Sequence, residues 1–280
     1  MRKFILLVVV NLTVIYSCLA QFDEKFYFPS HEWHSIDNMN FTEMNFHIDN
    51  DTLNAVLFKS KGTTKATIIY YHGTGGNISL NISIAELLSN EGFQVFMIDF
   101  RGYGKSTGKP THLNIANDAQ IIFDKIIVKD EFKNYPLIVY GASIGTQIAV
   151  KIAKDNQAKI AGLILDGPMS SFTDIALASA TEEQKQVISQ YVTSPYSAKE
   201  DIKDIRNMPK LIIHSEEDEA VPFEQGELVY KNANQPKTMW VYKGKHLESA
   251  ILDEELFIQK INYFTNSLSD TLGNDKKSTI

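Results

Sequence analysis

The chain has 280 residues, of which 27 are Lys or Arg and 34 are Asp or Glu, so its formal net charge is −7 at neutral pH. This acidic balance, without a basic patch, argues against a nucleic-acid-binding protein. The single cysteine, Cys18, excludes a disulfide within the chain, and the lack of a cysteine cluster or a histidine pair at ligand spacing predicts no metal and no other cofactor.

Residues 1–20 form a predicted targeting segment. Two basic residues precede the apolar stretch Phe4–Ile15, and the segment up to Ala20 is short for a membrane-spanning helix but typical of a secretory signal peptide. Cleavage after Ala20 would leave residue 21 at the front of the mature chain. In a second interpretation the segment is a bacterial lipoprotein signal that ends before Cys18, and in a third it stays uncleaved as an anchor.

Both cleaved forms predict an exported protein, periplasmic or extracellular, that is attached to a membrane only if Cys18 is lipidated. Loss of residues 1–20 removes two basic and no acidic side chains, which leaves 25 basic and 34 acidic side chains and a net charge of −9. Such a charge fits a soluble exported protein. The mature chain is long enough to be stabilised by its own core. We expect one domain over residues 21–268 and a polar, flexible tail over residues 269–280.

The start of the mature chain differs from the rest in pattern. The stretch Phe22–Phe41 is aromatic and irregular, which predicts an arm that packs across the domain rather than a separate fold. After it, Glu43–Asp49 and Leu53–Lys59 alternate apolar and polar residues around the turn pair Asn50-Asp51. This alternation predicts an antiparallel hairpin.

Six continuous apolar runs follow, and helical patterns separate them. Continuous apolar strands that alternate with helices indicate a mostly parallel central sheet with helices on both faces, an α/β fold. The six runs are Ala66–Tyr71, Gln94–Ile98, Leu137–Tyr140, Gly162–Leu165, Pro209–His214 and Thr238–Tyr242. Helices are predicted after Thr111, at Gln147–Asp155 and at Leu247–Leu268.

Glycine-rich loops follow the first two of these strands. The loop His72–Asn77 carries glycines on both sides of Thr74, and it lacks the GK[ST] ending of a nucleotide-binding loop. The loop Asp99–Gly108 has three glycines within seven residues, which predicts tight structural turns. We expect Asp99 and Arg101 to tie this second loop together by hydrogen bonds.

The pentad Gly141-Ala142-Ser143-Ile144-Gly145 lies between a predicted strand and a predicted helix. A small-x-Ser-x-small pentad in this context predicts the nucleophile elbow of a serine hydrolase, in which the serine lies at the apex of a strained turn. The two glycines are expected to remove side chains that would collide with the neighbouring strand and helix. Ser143 is therefore the candidate nucleophile.

Candidate partners for the serine follow it in the order acid, then histidine. Asp218 comes after the strand Pro209–His214, and His246 comes just after the strand Thr238–Tyr242. Both strands end at the edge where an open α/β sheet carries its site. Asp166, after the strand Gly162–Leu165, is a rival acid at the same edge. His72 and His214 are expected to hydrogen-bond locally.

The segment Met169–Met208 interrupts the alternation of strands and helices. It contains apolar residues and a helix-favouring stretch, Thr181–Ser189, and it runs about forty residues between two predicted strands. Long insertions of this kind are often lids, so we predict a small helical cap over the site at about 169–208. Its apolar residues either line an acyl pocket or form the underside of a lid.

Together, HGTGGN, DFRGYGKSTG, GASIG, the late D-x-x-VP and the final GKH resemble the α/β-hydrolase superfamily over roughly Asn45 to Leu268. Within it they are similar to the serine aminopeptidase-like (monoacylglycerol lipase-like) group and to the Bem46/ABHD-type hydrolases. The resemblance implies an α/β-hydrolase fold, a catalytic set of Ser143, Asp218 and His246, and an oxyanion hole formed by the backbones of Thr74 and Ile144. It does not specify a substrate.

The leading functional prediction is an exported serine hydrolase that cleaves a carboxylic ester, or a thioester, of a small-molecule acyl substrate with a small-to-medium acyl group. One alternative is an aminopeptidase or amide hydrolase with the same catalytic residues, for which Glu182, Glu183 and Glu200 in the cap are candidate partners of a substrate amine. The other alternative is a catalytically dead binding protein on the same scaffold, because a fold does not fix a function.

Overall fold

A computed structural model describes the backbone of residues 22–275 and the side chains of residues 22–268. The predicted signal segment and residues 276–280 lie outside the described residues. The strands, in chain order, are β1 (Phe28–Pro29), β2 (Phe41–Ile48), β3 (Asp51–Phe58), β4 (Ala66–Tyr71), β5 (Gly75–Gly76), β6 (Phe93–Ile98), β7 (Leu137–Ala142), β8 (Gly162–Asp166), β9 (Lys210–Ser215) and β10 (Lys237–Tyr242).

Eight of these strands form one sheet in the order β10-β9-β8-β7-β4-β6-β3-β2. The strands from β10 to β6 run parallel, whereas β3 pairs antiparallel with β6 and with β2. The predicted parallel sheet and the predicted hairpin are thereby confirmed. The hairpin turns earlier than the sequence indicates, because Asp49 adopts a left-handed conformation (φ 54°) and the second strand already begins at Asp51.

Helices cover both faces of the sheet. Apolar residues of α2 and α4 pack with Leu163 and Leu165 on one face, whereas those of α1 and α10 pack with Ile164 on the other. The helices are α1 (Ile82–Asn90), α2 (His112–Ile126), α3 (Asp130–Lys133), α4 (Gly145–Asp155), α5 (Phe172–Ala178), α6 (Glu182–Tyr191), α7 (Ala198–Asp201), α8 (Phe223–Asn232), α9 (Ser249–Leu252) and α10 (Glu254–Asp275). Short 3-10 turns lie at Glu24–Phe26, Ile78–Asn81, Gln157–Lys159 and Ile202–Asp204. Both interfaces stabilise the fold, since each fully buried large apolar side chain contributes roughly 1.5–3 kcal/mol.

The aromatic arm packs across the domain, as the sequence predicts. Its strand β1 pairs in parallel with the short strand β5 in the loop after β4. Tyr27, which is buried, forms a 2.7 Å hydrogen bond with Nδ1 of His112 at the start of α2. The arm is therefore attached to two loops at the carboxyl edge of the sheet.

The prediction of a single helix over Leu247–Leu268 is wrong at both ends, since the helical residues begin at Ser249 and end at Asp275. The helical segment is divided into α9 and α10 at Asp253, whose carboxylate accepts a hydrogen bond of 2.9 Å from the N–H of Leu256 and so caps the second helix. The backbone of α10 continues to Asp275, into the segment 269–280 that the sequence predicts as a flexible tail. Within residues 22–275, no helix combines the length and apolarity needed to cross a membrane.

Asp99 and Arg101 hold the loop after β6 through separate partners. Asp99 Oδ1 accepts a 2.7 Å hydrogen bond from the N–H of Ile78. Arg101 donates two hydrogen bonds to Asp118, of 2.6 and 2.8 Å, and a third of 2.6 Å to Asp51. The expected tie exists: Asp99 also accepts from the N–H of Lys105 within the loop at 3.4 Å, whereas Arg101 joins the loop to α2 and to the hairpin.

Replacing Arg101 by methionine is expected to lower the free energy of unfolding by about 3–5 kcal/mol, because it leaves the carboxylate of Asp118 buried without a counter-charge. Only 3% of the Asp118 side chain is exposed. Urea denaturation of both proteins at neutral pH measures the difference. The control is Lys203→Met, which breaks an exposed pair with Glu200 and should cost less than about 1 kcal/mol. Equal small losses in the two variants would contradict the structural role of Arg101.

Candidate active site

Ser143 lies at the apex of a sharp turn between β7 and α4. Its φ is 53°, in the left-handed region that a residue with a side chain seldom adopts. Two hydrogen bonds hold Ser143 in this strained conformation. Its N–H donates to the carbonyl of Asp166 at 2.8 Å, and its carbonyl accepts from the N–H of Thr146 at 3.0 Å. The strand, turn and helix have the geometry of the predicted nucleophile elbow.

Both glycines of the pentad are required by close backbone contacts. A Cβ at Gly145 would lie 2.1 Å from the carbonyl oxygen of Tyr71, and a Cβ at Gly141 would lie 2.6 Å from the Cα of Thr146. Any larger residue would push the helix away from the strands. The expectation that the glycines prevent collisions is confirmed.

Asp218 and His246 meet through a short hydrogen bond. Asp218 lies in the loop after β9 and His246 in the loop after β10, and Nδ1 of His246 is 2.6 Å from Oδ2 of Asp218. Oδ1 of Asp218 accepts from the N–H groups of Ala220 and Val221 at 3.0 and 2.8 Å. Burial acts to raise the pKa of Asp218, but its hydrogen bonds with histidine and backbone donors dominate and hold that pKa well below its ordinary value.

A second imidazole, that of His214, also lies against Asp218, in a contact that was not predicted from the sequence. Nε2 of His214 is 2.9 Å from the carbonyl of Val221, the local bond that was expected, but it is also 3.4 Å from Oδ2 of Asp218. A Cβ at Gly226 in α8 would lie 2.1 Å from Nδ1 of this ring. The sequence feature that could have indicated this contact is the spacing: His214 lies at the end of β9, and Asp218 follows it by four residues in the next loop.

Ser143 and His246 line the same cavity. Nε2 of His246 is buried, and within the described residues it has no hydrogen-bond partner, so it is not bonded to the Ser143 hydroxyl here. Catalytic hydrogen bonds are often loose until a substrate is bound. The ring packs on Gly167, where an added Cβ would lie 2.6 Å from Cε1 of the imidazole. The two side chains therefore share one site.

The rival acid, Asp166, is engaged elsewhere. Its Oδ2 accepts hydrogen bonds from the Tyr140 hydroxyl at 2.8 Å and from Ser249 Oγ at 3.4 Å. Burial raises the pKa of Asp166 to about 6, against the opposing effect of the Tyr140 hydrogen bond. The structure thus joins His246 to Asp218 and not to Asp166.

The loop after β4 holds Thr74 in a fixed position. The carbonyl of Thr74 accepts hydrogen bonds from the Tyr103 hydroxyl at 2.6 Å and from the N–H of Phe28 at 3.0 Å, while its Oγ1 donates to the carbonyl of Phe26. Among the described residues, neither the N–H of Thr74 nor that of Ile144 donates a hydrogen bond. Both are available as donors to a ligand oxygen, and the arm and the loop after β6 orient the first of them.

A cavity of about 720 Å³ opens over these groups. Ser143, Ile144, Thr74 and His246 lie on its wall beside side chains of the arm and of the predicted cap. The segment predicted as a cap contains the helices α5 to α7. Apolar residues make up most of the remaining wall, including Phe22, Phe26 and Phe28 from the arm and Ile175, Val187 and Ile188 from the cap. The cap residues thus line the pocket.

Of the three glutamates that are candidate partners of a substrate amine, one lines this cavity. Glu183 lies on its wall. Glu182 instead pairs with Lys185 at 2.5 Å, and Glu200 pairs with Lys203 at 2.7 Å, both at exposed positions. Of the residues that the structure describes, no group of three His, Cys, Asp or Glu side chains is arranged to hold a metal ion.

His72, at the end of β4, is buried outside the cavity and gives a test of acid stability. Its Nδ1 donates to the carbonyl of Gly73 at 2.7 Å, and its ring centroid is 4.2 Å from that of Phe100. Burial lowers the pKa of His72 to about 4, below the ordinary value of 6.5. Below pH 6.5 the unfolded chain therefore binds a proton that the folded chain does not, and stability falls until the pH reaches about 4.

The variant His72→Phe removes this proton linkage. Between about pH 6.5 and about pH 5, its free energy of unfolding should fall by about 2 kcal/mol less than that of the parent protein. Urea denaturation at several pH values measures the slope, and the exposed His47→Phe variant is the control. Parallel slopes for the parent and His72→Phe would show that His72 is protonated in the folded state.

Comparison with known proteins finds several relatives. The model of the serine aminopeptidase family S33 (Hydrolase_4) matches residues 62–196. The protein bem46 of Schizosaccharomyces pombe is 31% identical over 168 residues, which cover 60% of this chain and 56% of that protein. The uncharacterized protein YfhR of Escherichia coli K12 is 31% identical over 189 residues, which cover 66% of this chain and 64% of YfhR. Both matches span less than two thirds of the relative.

A solved structure has the same architecture. The esterase Pf2001 of Pyrococcus furiosus superposes with a TM-score of 0.69 at 18% sequence identity, covering 86% of this chain and 97% of that one. At this identity the likeness shows the fold alone. The fold class and the family resemblance that the sequence predicts are confirmed. With its mostly parallel sheet, the sharp turn at Ser143 and these relatives, the chain belongs to the α/β-hydrolase superfamily.

Proposed function

We propose that the protein is a serine hydrolase that cleaves a carboxylic ester, or a thioester, through an acyl-enzyme. One observation carries the proposal: the bond of 2.6 Å between Asp218 and His246 lies beside a cavity that also holds Ser143 at the apex of its strained turn. A nucleophile, a base and a group that orients the base are the elements of this chemistry. The solved esterase Pf2001 has the same fold.

The proposed mechanism gives each of these groups one role. Oγ of Ser143 attacks the acyl carbonyl carbon while Nε2 of His246 takes the hydroxyl proton, and the carbonyl oxygen becomes an oxyanion. The N–H groups of Thr74 and Ile144 donate to that oxyanion, and one such donor typically lowers the barrier by about 3–4 kcal/mol. His246 then gives the proton to the leaving alkoxide. Water repeats the sequence on the acyl-enzyme and releases the acid.

Asp218 maintains the state of His246 through this cycle. Its carboxylate, held ionised by its backbone donors, accepts from Nδ1–H and leaves Nε2 free to accept a proton. It also stabilises the imidazolium that forms when Ser143 attacks. Because the pKa of Asp218 is well below its ordinary value, its carboxylate stays ionised at neutral pH.

The substrate proposed for the cavity is a small molecule with an apolar acyl group of small-to-medium size. Apolar side chains of the arm and the cap surround the space next to Ser143. These side chains exclude water, so an apolar acyl chain that enters the space is removed from water, and this removal favours binding. We further propose that the protein acts outside the cytoplasm, periplasmic or extracellular, on the basis of residues 1–20, with membrane attachment only through a lipidated Cys18.

A fluorophosphonate probe tests the proposal directly. The mature protein should be phosphonylated on Ser143, with the adduct located by mass spectrometry, because such probes react with an activated serine. Labelling should be lost in His246→Ala and kept in His47→Ala, which replaces an exposed histidine on β2. A folded parent protein that resists labelling would support the alternative of a binding protein on a dead scaffold.

The second candidate function is an aminopeptidase or amide hydrolase with the same catalytic residues. One observation favours it: the carboxylate of Glu183 lies on the cavity wall, where it could bind a substrate ammonium group, and the matching family model is that of a serine aminopeptidase. Aminoacyl p-nitroanilides compared with p-nitrophenyl esters separate the two functions. For an aminopeptidase, Glu183→Gln should raise KM for the anilide and leave ester turnover unchanged.

A further inference from the structure

A second cavity, of about 600 Å³, lies on the face of the sheet that α1 and α10 cover. Its floor is formed by Tyr70, Tyr140 and Asp166 at the ends of three neighbouring parallel strands, and residues of α1, α9 and α10 form its walls. None of its lining residues lines the cavity over Ser143. The proposed hydrolysis therefore makes no use of it.

The carboxylate of Asp166 at the bottom of this cavity is only half satisfied. Its Oδ2 accepts from the hydroxyl of Tyr140, but Oδ1 is buried and has no hydrogen-bond partner among the described residues. The residue as a whole is 5% exposed. A buried carboxylate oxygen without a donor is costly, and its cost is removed by a ligand that brings a donor, most of all a positively charged one.

The charge around the cavity has one sign. The exposed carboxylates of Glu86 on α1 and Glu254 on α10 stand at its rim, and no Lys or Arg is found among its described lining residues. The imidazoles of His246 and His214 act on Asp166 electrostatically, but both lie against the carboxylate of Asp218. The acidic side chains that line the cavity are therefore not balanced by a lysine or arginine among its described lining residues, which favours a cationic ligand.

The remaining walls suit an organic cation rather than a bare metal ion. The rings of Tyr70 and Tyr140 lie side by side with centroids 5.0 Å apart, and an ammonium group near such rings is attracted to their faces. Apolar side chains, among them Ile84 and Leu247, line the same space and offer contact to a hydrocarbon chain. A metal ion would instead need several converging oxygen ligands.

We propose that this cavity is a binding site for a primary alkylammonium ion. Its ammonium group donates to Oδ1 of Asp166 beside the tyrosine rings, and its alkyl chain lies along the apolar wall toward the rim carboxylates. This site is distinct from the one proposed for hydrolysis, since the two cavities share no lining residue.

Isothermal titration of the full chain with n-pentylammonium chloride tests the site, with n-pentanol as the neutral probe of nearly the same shape. A ligand of about six non-hydrogen atoms is expected to bind one site with a dissociation constant on the order of 1 mM. Asp166→Asn keeps the shape of the side chain and removes its charge, so it should weaken binding at least about tenfold, whereas pentanol should give no saturable heat.

Rim variants keep the test decisive if Asp166→Asn fails to fold. Glu254→Gln should weaken pentylammonium binding about two- to fivefold, while the neighbouring exposed Glu255→Gln, which does not line this cavity, should leave it unchanged. Equal affinities for pentanol and pentylammonium, equal effects of the two rim variants, or no saturable binding to the parent protein would each overturn the proposal. None of these outcomes depends on esterase activity.

Discussion

Replacing Ser143 by alanine is expected to lower kcat/KM for p-nitrophenyl butyrate by about 10⁴- to 10⁶-fold while the protein stays folded. The hydroxyl is the only part of the residue removed, and the proposed acyl-enzyme cannot form without it. Alanine at φ 53° keeps a Cβ that the turn already accommodates, so the elbow itself should be retained. Steady-state hydrolysis and urea denaturation of the purified variant measure the two effects.

A serine elsewhere in the same cavity provides the matched control. Ser179, at the end of α5, lines the cavity but is exposed and is remote in sequence from the elbow. Ser179→Ala should leave kcat/KM within about twofold of the parent, since it removes no group from the proposed reaction path. If a well-folded Ser143→Ala protein hydrolyses the ester at the parental rate, the acyl-enzyme mechanism is wrong.

Most of the fold could be predicted because buried parallel strands have a recognisable sequence pattern. Strands such as Ala66–Tyr71 are buried on both faces and appear in the sequence as continuous apolar runs, so their positions were found to within one or two residues. The break between α9 and α10 was not predictable from periodicity. The break occurs because the carboxylate of Asp253 caps the following helix, and the apolar pattern of residues 247–268 does not indicate this hydrogen bond.

The candidate site was predictable where topology brings residues together. Ser143, Asp218 and His246 each follow a parallel strand, and the carboxyl ends of parallel strands meet at one edge of the sheet. The additional contact of His214 with Asp218 is a matter of side-chain orientation across a turn. The contacts of the arm with Thr74 join residues that are far apart in the chain, and no local pattern indicates such pairs.

Replacing Asp218 by asparagine is expected to lower kcat/KM by about 10⁴-fold, with a much smaller change in KM. The reason lies in the loop that holds the side chain. The N–H groups of Ala220 and Val221 donate to one oxygen of Asp218, so an asparagine is expected to keep its amide oxygen there and direct its NH₂ group at Nδ1 of His246. The imidazole must then carry its proton on Nε2, which can no longer accept the proton of the serine.

Two further carboxylates separate this effect from a general loss of negative charge. Glu217 is exposed next to Asp218, and Glu217→Gln should change kcat/KM by less than about twofold. Asp166→Asn removes the rival acid, whose oxygens contact Tyr140 and Ser249 rather than His246, and it should cost far less than Asp218→Asn. The reverse order, with Asp166→Asn showing the loss of about 10⁴-fold and Asp218→Asn little, would assign the acid to β8. The bond between Asp218 and His246 would then be structural, and the substrate-bound site would differ from the one described here.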